Sequence, residues 1–183
     1  MPHPEISANR SDHVLSTERF CLKKMSDEDF GFLCEMYSDP LVMKYITTGV
    51  CDSKKTRELL KQFIKHWNDF GFGMWIVELK QTGEKLGYMG FRILPGKEGI
   101  EFGGLLIQKI WNQGAATEVG KMCLSYGFGH FGFKHVYSVV DPKNKPSHRW
   151  IQKLGMKRTP EKDGIFHDSF TEYYLMTSDQ FKI

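Results

Sequence analysis

The sequence predicts an α/β fold, in which helices pack on one mixed sheet in an α+β arrangement. Three observations support this prediction. The predicted elements follow one another in the order β-α-α-β-β-β-α-β-α-β. Apolar residues recur at helical spacing over 53–69, which predicts an amphipathic helix. A strand over 74–79 and a returning strand over 85–94 flank a turn at Gly83, which predicts a hairpin.

Length and composition are those of one ordinary folded domain. The chain has 183 residues, close to the roughly 150 residues of a typical domain. We expect residues 1–15 to form a flexible polar arm and residues 16–183 to form a single domain. The formal net charge is only +3, which gives no reason of its own to expect nucleic-acid binding.

The sequence does not predict a membrane protein, a secreted protein or a metal-binding site. The apolar runs are far shorter than the roughly 20 residues that cross a bilayer, and the N-terminus has no apolar signal segment. The four cysteines are scattered without a Cys-x-x-Cys pair, so no metal site is predicted. Scattered thiols suit a reducing compartment, and we therefore expect a cytoplasmic protein.

The remaining elements are predicted from capping residues, glycines and β-rich runs. They are a strand over 19–25, a helix from Ser26 to Tyr37, a helical turn over 41–45, a turn over 95–99, a strand over 100–107, a helix from Gly114, a strand over 135–140, a helix over 144–154 and a strand over 170–176. Gly127, Gly129 and Gly132 fit the letters G-x-G-x-x-G. They close a helix instead of following a strand, so no dinucleotide-binding loop is predicted.

The stretch from Ile100 to Glu118 carries the first chemical signal. A strand rich in glycine and leucine leads through a short loop into Gly114-Ala115-Ala116-Thr117, which starts a helix. A helix N-terminus offers free N–H groups and partial positive charge, and small residues let a phosphate reach the backbone. The stretch fits an anion cradle, although small residues also begin many helices for structural reasons alone.

The second signal lies between Asp141 and Arg158. Asn144 either caps the helix that follows or presents its amide to a ligand at the sheet edge. Six basic residues and no acidic residue occur between 143 and 158. They form either a solvated helix face or a surface that attracts a polyphosphorylated ligand.

Four blocks of the chain resemble the GNAT acetyltransferase superfamily, specifically the branch that includes the ribosomal-protein-alanine N-acetyltransferases. The four blocks follow the family's order and together span roughly residues 16–176. In chain order, the third block resembles the family's W-G-x-G-x-A-T-E loop, and the fourth resembles its N-x-x-S and K-L-G-F blocks. The blocks are Thr17-Glu18-Arg19-Phe20-Cys21-Leu22, Ser38-Asp39-Pro40-Leu41-Val42-Met43, Trp111-Asn112-Gln113-Gly114-Ala115-Ala116-Thr117-Glu118, and Asn144-Lys145-Pro146-Ser147 with Lys153-Leu154-Gly155-Met156.

The resemblance implies a mostly antiparallel central sheet, splayed at the cofactor site and flanked by helices. It also implies acetyl-CoA as donor, CoA as product and an amine as acceptor. A backbone N–H of Leu106 or Ile107 would polarise the thioester carbonyl, and the basic run would meet the 3′-phosphate. The residues that the resemblance assigns to the cofactor are Leu105, Leu106, Ile107, Gln113, Gly114, Ala115, Ala116, Thr117, Asn144 and Arg149.

Two departures from the family pattern affect the expected chemistry. Asn112 stands where the branch usually has glycine, so the first turn of the loop is expected to differ. Ile151 stands where many members place a tyrosine as general acid. Ser147 then becomes the candidate to protonate the leaving thiolate, directly or through water. A thiol with a pKa near 8.5 needs little help to leave.

The acceptor amine needs a base, because an exposed amine is protonated near neutral pH. Glu101 is the first candidate to take that proton through water, and Glu78 is the second. Glu101 is equally explained as a surface or salt-bridged strand residue. Direct attack of the amine on the thioester requires no covalent enzyme intermediate.

Two other interpretations remain open beside the acetyltransferase. One is a non-catalytic acyl-CoA-binding or sensor module on the same fold. The other is a nucleic-acid-binding module that uses residues 143–158 and weakens steeply with salt. The acceptor stays open between a protein N-terminus and a small amine such as an amino acid, polyamine or aminoglycoside. The chain is expected to be a monomer or a homodimer.

Overall fold

A computed structural model describes residues 14–94, 99–166 and 169–182. The predicted arm and the predicted turn at 95–99 lie almost wholly outside these residues. The described elements are β1 (Leu15–Ser16), β2 (Phe20–Lys24), α1 (Phe30–Ser38), α2 (Ser53–Phe70), β3 (Met74–Leu79), β4 (Lys85–Arg92), β5 (Glu101–Leu106), α3 (Ala115–Gly129), β6 (His135–Val140), α4 (Lys145–Lys153), β7 (Lys157–Arg158), β8 (Gly164–Phe166) and β9 (Ser169–Thr177). The predicted mixed α/β architecture is confirmed.

One sheet forms the centre of the fold, with its strands in the order β1-β2-β3-β4-β5-β6-β9-β7 and β8 paired to β9. Every pair of neighbouring strands is antiparallel except β5 and β6, which are parallel. The sheet is therefore mostly antiparallel, as predicted. No helix of the described residues is long and apolar enough to span a membrane.

Helix α2 shows why the periodic segments were predictable. Asp52 caps its start by accepting a hydrogen bond from the Lys55 N–H at 2.7 Å. Gly71 ends it with φ of 73°, a left-handed conformation that glycine adopts at little cost. Leu60 and Trp67 face the sheet and are almost fully buried, so the helix covers apolar surface along its whole length.

Helices cover both faces of the sheet. Helices α1 and α2 lie on one face, which we call the α1/α2 face, and its core includes Leu33, Tyr37, Leu60 and Ile76. Helices α3 and α4 lie on the other, the α3/α4 face, and its core includes Phe91, Phe102, Leu106, Val119 and Ile151. Strand β5 contributes to both cores, because successive side chains point to opposite faces.

The differences from the predicted elements are local. Residues 41–45, predicted as a helical turn, form hydrogen-bonded turns and not a longer helix, and Met43 N–H donates to the Asp39 carbonyl at 3.0 Å. Strands β1, β7 and β8 were not predicted, because segments of two or three residues carry no periodic signal. Gly127 lies inside α3, where a Cβ would come within 2.6 Å of the Phe91 ring.

Candidate active site

The parallel strands β5 and β6 separate after one paired position, Glu101 with Tyr137. The Ser138 hydroxyl makes the last link, donating to the Phe102 carbonyl at 2.6 Å. Beyond it, Gly104 is exposed although it lies in a central strand. The predicted splay is therefore present as a gap between β5 and β6. Strand backbone that has no neighbouring strand needs hydrogen-bond partners from elsewhere, such as a ligand.

The direction of the β5 backbone decides which N–H faces the gap. Ile107 N–H donates to the Leu86 carbonyl of the preceding strand at 2.9 Å, so it points away from the gap. Alternate residues of a strand direct their N–H groups to opposite edges. Leu106 N–H therefore lies on the gap side. Of the two expected donors to a ligand carbonyl, the Leu106 N–H faces the gap and the Ile107 N–H is bonded to β4.

The loop that follows β5 turns at two residues with positive φ. Asn112 has φ of 59° and Gly114 has φ of 76°, both left-handed. Asn tolerates this conformation better than most residues. The turn expected to differ at Asn112 thus keeps a glycine-like conformation. Gln113 and Gly114 are exposed. Thr117 N–H donates to the Gly114 carbonyl at 3.1 Å, whereas Ala115 and Ala116 stand before the first hydrogen bonds of the helix.

Two anchors hold this loop against the sheet. Trp111 Nε1 donates to the Leu106 carbonyl at 2.7 Å, which ties the loop to the end of β5. Glu118 accepts hydrogen bonds from the Thr17 hydroxyl at 2.6 Å and from Arg19 Nε at 2.7 Å. Arg19 also donates to the Gln113 carbonyl at 3.0 Å. Sequence reasoning missed this second anchor, although its residues stand in two of the quoted blocks.

Electrostatics at Glu118 favour the charged form. Burial raises its pKa, but the hydrogen bonds from Thr17 and Arg19 and the charge of Arg19 outweigh burial and hold the pKa below its ordinary value. The carboxylate is therefore ionised at neutral pH. It fixes the first turn of α3 relative to the start of β2.

Helix α4 follows β6, the strand on the other side of the gap. Asn144 Oδ1 accepts from Ser147 N–H at 3.1 Å, so Asn144 caps this helix. Ser147 is half-buried in the first turn, and Arg149 is exposed. His148 is buried and holds the helix to the sheet through contacts with the Tyr174 hydroxyl at 2.7 Å and the Asp141 carbonyl at 3.0 Å. The capping role of Asn144, one of its two interpretations, is present.

Trp150 supplies a buried polar atom without a protein partner. Its indole Nε1 has no hydrogen-bond partner among the described residues. The ring lies 5.8 Å from the ring of Phe102 on β5 and would touch a Cβ at Gly120 of α3. A buried N–H left unpaired costs about 1–3 kcal/mol. Together with the gap and the loop, this orphan donor fits a ligand that carries carbonyl oxygens, as the pantetheine arm of CoA does.

The two candidate bases lie in different places. Glu101 is buried, borders the gap and forms an ion pair with Arg92 of β4. Burial lowers the pKa of Arg92, but the charge of Glu101 outweighs it and raises that pKa. Glu78 is held by Lys23 at 2.6 Å on β3. Since β4 lies between β3 and β5, Glu78 is about 10 Å from the gap-bordering strand.

A separate cavity of about 500 Å³ opens on the α1/α2 face beside Ile107. Its walls include Phe32 and Met36 and the carboxylates of Asp39 and Glu84. Gln108 donates to Asp39 at 2.6 Å and Lys109 to Glu84 at 2.7 Å, so both carboxylates already have partners. The side chain of Ile107 faces this cavity and its N–H faces β4.

Comparison with known families decides the assignment. Residues 19–157 match the acetyltransferase (GNAT) domain family. The chain belongs to the GNAT acetyltransferases. Among its relatives, the Bacillus subtilis protein YkkB is 35% identical over 78% of this chain and 84% of its own length. The uncharacterized N-acetyltransferase p20 of Bacillus licheniformis is 30% identical, and the match covers 85% of this chain and 86% of p20.

Solved GNAT structures share the fold. An acetyltransferase of the GNAT family from Bacillus anthracis superimposes with a TM-score of 0.77 at 27% identity, over 91% of this chain and 99% of that one. Spermidine N-acetyltransferase from Vibrio cholerae, solved with CoA and spermine, gives a TM-score of 0.71 at 17% identity, over 88% and 97%. The sheet with a gap between β5 and β6 is thus part of a GNAT fold.

Ile151 of α4 lies in the buried core. The resemblance aligns it with the tyrosine of many members, and here it is 1% exposed in the core of the α3/α4 face. A hydrocarbon side chain at this depth cannot transfer a proton. Any protonation of a leaving group must come from another side chain or from water.

Proposed function

We propose that this GNAT protein transfers the acetyl group of acetyl-CoA to a primary amine, either a protein N-terminus or a small molecule, by direct attack of the amine on the thioester. The observation that carries the proposal is the gap between β5 and β6 with the Leu106 N–H facing it. A backbone donor in a dry cleft stabilises negative charge that develops on a carbonyl oxygen. Residues 16–183 would act as one cytoplasmic domain.

The donor would be held along the gap and by the loop at its end. Acetyl-CoA, when bound, supplies an acetyl group already activated as a thioester. The backbone of Leu105–Ile107 would lie along the pantetheine arm, and the backbone of Gln113–Thr117 would hold the pyrophosphate. Asn144 would reach the arm from the start of α4. Arg149 is exposed on the same helix and would meet the 3′-phosphate.

Proton transfer would use Glu101 and Ser147. Glu101 would take a proton from the acceptor amine through a water molecule, and the Arg92 guanidinium would keep its carboxylate oriented. Ser147 would deliver a proton to the departing thiolate, directly or through water. Positioning of the amine against a polarised carbonyl would supply most of the rate acceleration.

A second candidate function is a non-catalytic acyl-CoA-binding module. Two observations favour it: the family's tyrosine position is the buried Ile151, and Glu101 is engaged in an ion pair. Such a module would bind acetyl-CoA without releasing CoA in the presence of any amine.

The deciding experiment measures thiol release from acetyl-CoA with a panel of amines, alongside calorimetric binding of the donor. We expect Glu101→Gln to keep donor affinity and to lose about 10²–10⁴-fold in kcat/KM, the usual contribution of a general base. The matched control is Glu78→Gln, which should retain the rate. Full activity of Glu101→Gln in folded protein would remove Glu101 as the base. Donor binding without thiol release from the wild type would establish the non-catalytic module.

A further inference from the structure

Tyr137 carries a buried hydroxyl that the proposed chemistry does not use. The residue is 1% exposed, and its hydroxyl has no hydrogen-bond partner within residues 14–94, 99–166 and 169–182. Burial and the nearby charge of Glu101 raise the pKa of this phenol well above its ordinary value. The phenol therefore keeps its proton at neutral pH and remains a hydrogen-bond donor.

This side chain stands beside the proposed base at the point where the strands part. Tyr137 and Glu101 are the one register pair between β6 and β5, so their side chains share the α1/α2 face. The Tyr137 ring stacks on Tyr173 of β9, with ring centres 5.1 Å apart and planes at 14°. Phe166 packs on both rings, at 6.2 and 6.1 Å. The three rings form an aromatic wall.

Open space adjoins this wall on β5. Gly103 lies two residues after Glu101 and faces the same side of the sheet. A Cβ built there would meet no described atom within 4 Å. On the neighbouring strand β4, Tyr88 is paired with Leu105, two residues after Gly103. The Tyr37 ring lies edge-on to the Tyr88 ring, with ring centres 6.2 Å apart. The space above Gly103 is thus bordered by aromatic rings and by Glu101.

We propose that the Tyr137 hydroxyl binds an oxygen atom next to the amino group of the acceptor. This inference rests on the proposed function and narrows its acceptor to amines with a carbonyl or hydroxyl oxygen on a neighbouring carbon, such as the α-amino amide that begins a polypeptide. A buried O–H donor needs an acceptor atom. An alkylamine or an alkyl polyamine enters as ammonium groups, which only donate, so it leaves this O–H unpaired.

The test compares two acceptors that differ in one group. Alaninamide offers the oxygen, whereas 2-aminobutane replaces the amide with an ethyl group. We expect Tyr137→Phe to lower kcat/KM for alaninamide about 3- to 10-fold, mainly through a higher KM, because it removes one neutral hydrogen bond. The kcat/KM for 2-aminobutane should not change. Tyr126→Phe, a buried tyrosine on the α3/α4 face, is the control and should change neither acceptor. Equal effects of Tyr137→Phe on both acceptors, or no effect on alaninamide, would overturn the inference.

A second variant and a binding readout separate this inference from the proposed function. Gly103→Val would fill the open space. We expect it to weaken the binding of alaninamide to CoA-saturated protein more than 10-fold and to leave donor affinity unchanged. Saturation-transfer NMR measures the binding of alaninamide. Unaltered alaninamide binding by Gly103→Val would overturn the placement of the acceptor. Turnover of 2-aminobutane but not of alaninamide by the wild type would overturn the inference and leave the acetyltransferase intact. Donor binding without turnover of any amine would instead contradict the proposed function.

Discussion

In the proposed function, single backbone and side-chain hydrogen-bond donors select the ligand of the gap between β5 and β6. Leu106 N–H faces the gap because the neighbouring Ile107 N–H is engaged by Leu86. Trp150, whose ring lies 5.8 Å from that of Phe102 on β5, has an Nε1 without a partner among the described residues. A protein keeps such an orphan only at a cost to its stability. The cost is offset when a ligand supplies the missing acceptor.

Trp150→Phe tests this interpretation, because it removes the N–H and keeps an aromatic ring. We expect the free energy of unfolding of the ligand-free protein to change little or to rise, since an unpaired buried donor is lost. Donor affinity should fall about 3- to 10-fold, because one neutral hydrogen bond to the donor is lost. Urea denaturation and calorimetry measure the two quantities. A loss of stability with unchanged donor affinity would mean that the indole serves only packing.

The loop between β5 and α3 is the element to which the proposed function assigns donor binding. Asn112 holds a left-handed conformation in that loop. A β-branched residue there costs about 1–3 kcal/mol. We expect Asn112→Gly to retain donor affinity and Asn112→Val to lose both stability and affinity, measured by urea denaturation and calorimetry. Equal donor affinity of the two variants would show that the left-handed turn is not required for binding.

The anchor between α3 and β2 predicts a pH dependence of stability. Because the folded-state pKa of Glu118 lies below its ordinary value of 4.5, its contribution is fully present above that pH. It is lost as the pH falls through the lower folded-state value. Glu118→Gln should therefore be less stable at pH 7, by about 1.5–3 kcal/mol for hydrogen bonds to a charged group.

The same variant should lose less of its stability than the wild type as the pH falls below 4.5. Urea denaturation at a series of pH values measures both effects. Glu58→Gln, which breaks an exposed ion pair on α2, is the control and should be nearly neutral. Parallel stability curves for wild type and Glu118→Gln would contradict the anchor.

At the scale of the whole molecule, the sequence predicted the long elements and missed contacts that depend on tertiary structure. Strands 74–79 and 135–140 match the prediction because their apolar runs are long and bounded by turns. The helix start at Gly114–Thr117 was predicted because small residues follow a strand and open a helix. Its anchor at Glu118 was not, because Thr17 and Arg19 lie about a hundred positions away in the chain.

Side-chain partners across the sheet escaped prediction for the same reason. The pairing of Glu101 with Arg92 depends on the β4–β5 register, and composition does not fix that register. Trp150 and Tyr137 each end in a buried polar atom without a described partner. That property belongs to the packed molecule and leaves no periodic signal in the chain.

Calorimetric titration with acetyl-CoA tests the central claim most directly, because every proposed role depends on donor binding in the gap. We expect one acetyl-CoA per chain with micromolar affinity, and weaker binding of 3′-dephospho-CoA than of CoA if the basic run that includes Arg149 meets the 3′-phosphate. Absence of binding up to millimolar acetyl-CoA in a well-folded sample would contradict the claim. The gap would then be a feature of the fold without the donor site proposed for it.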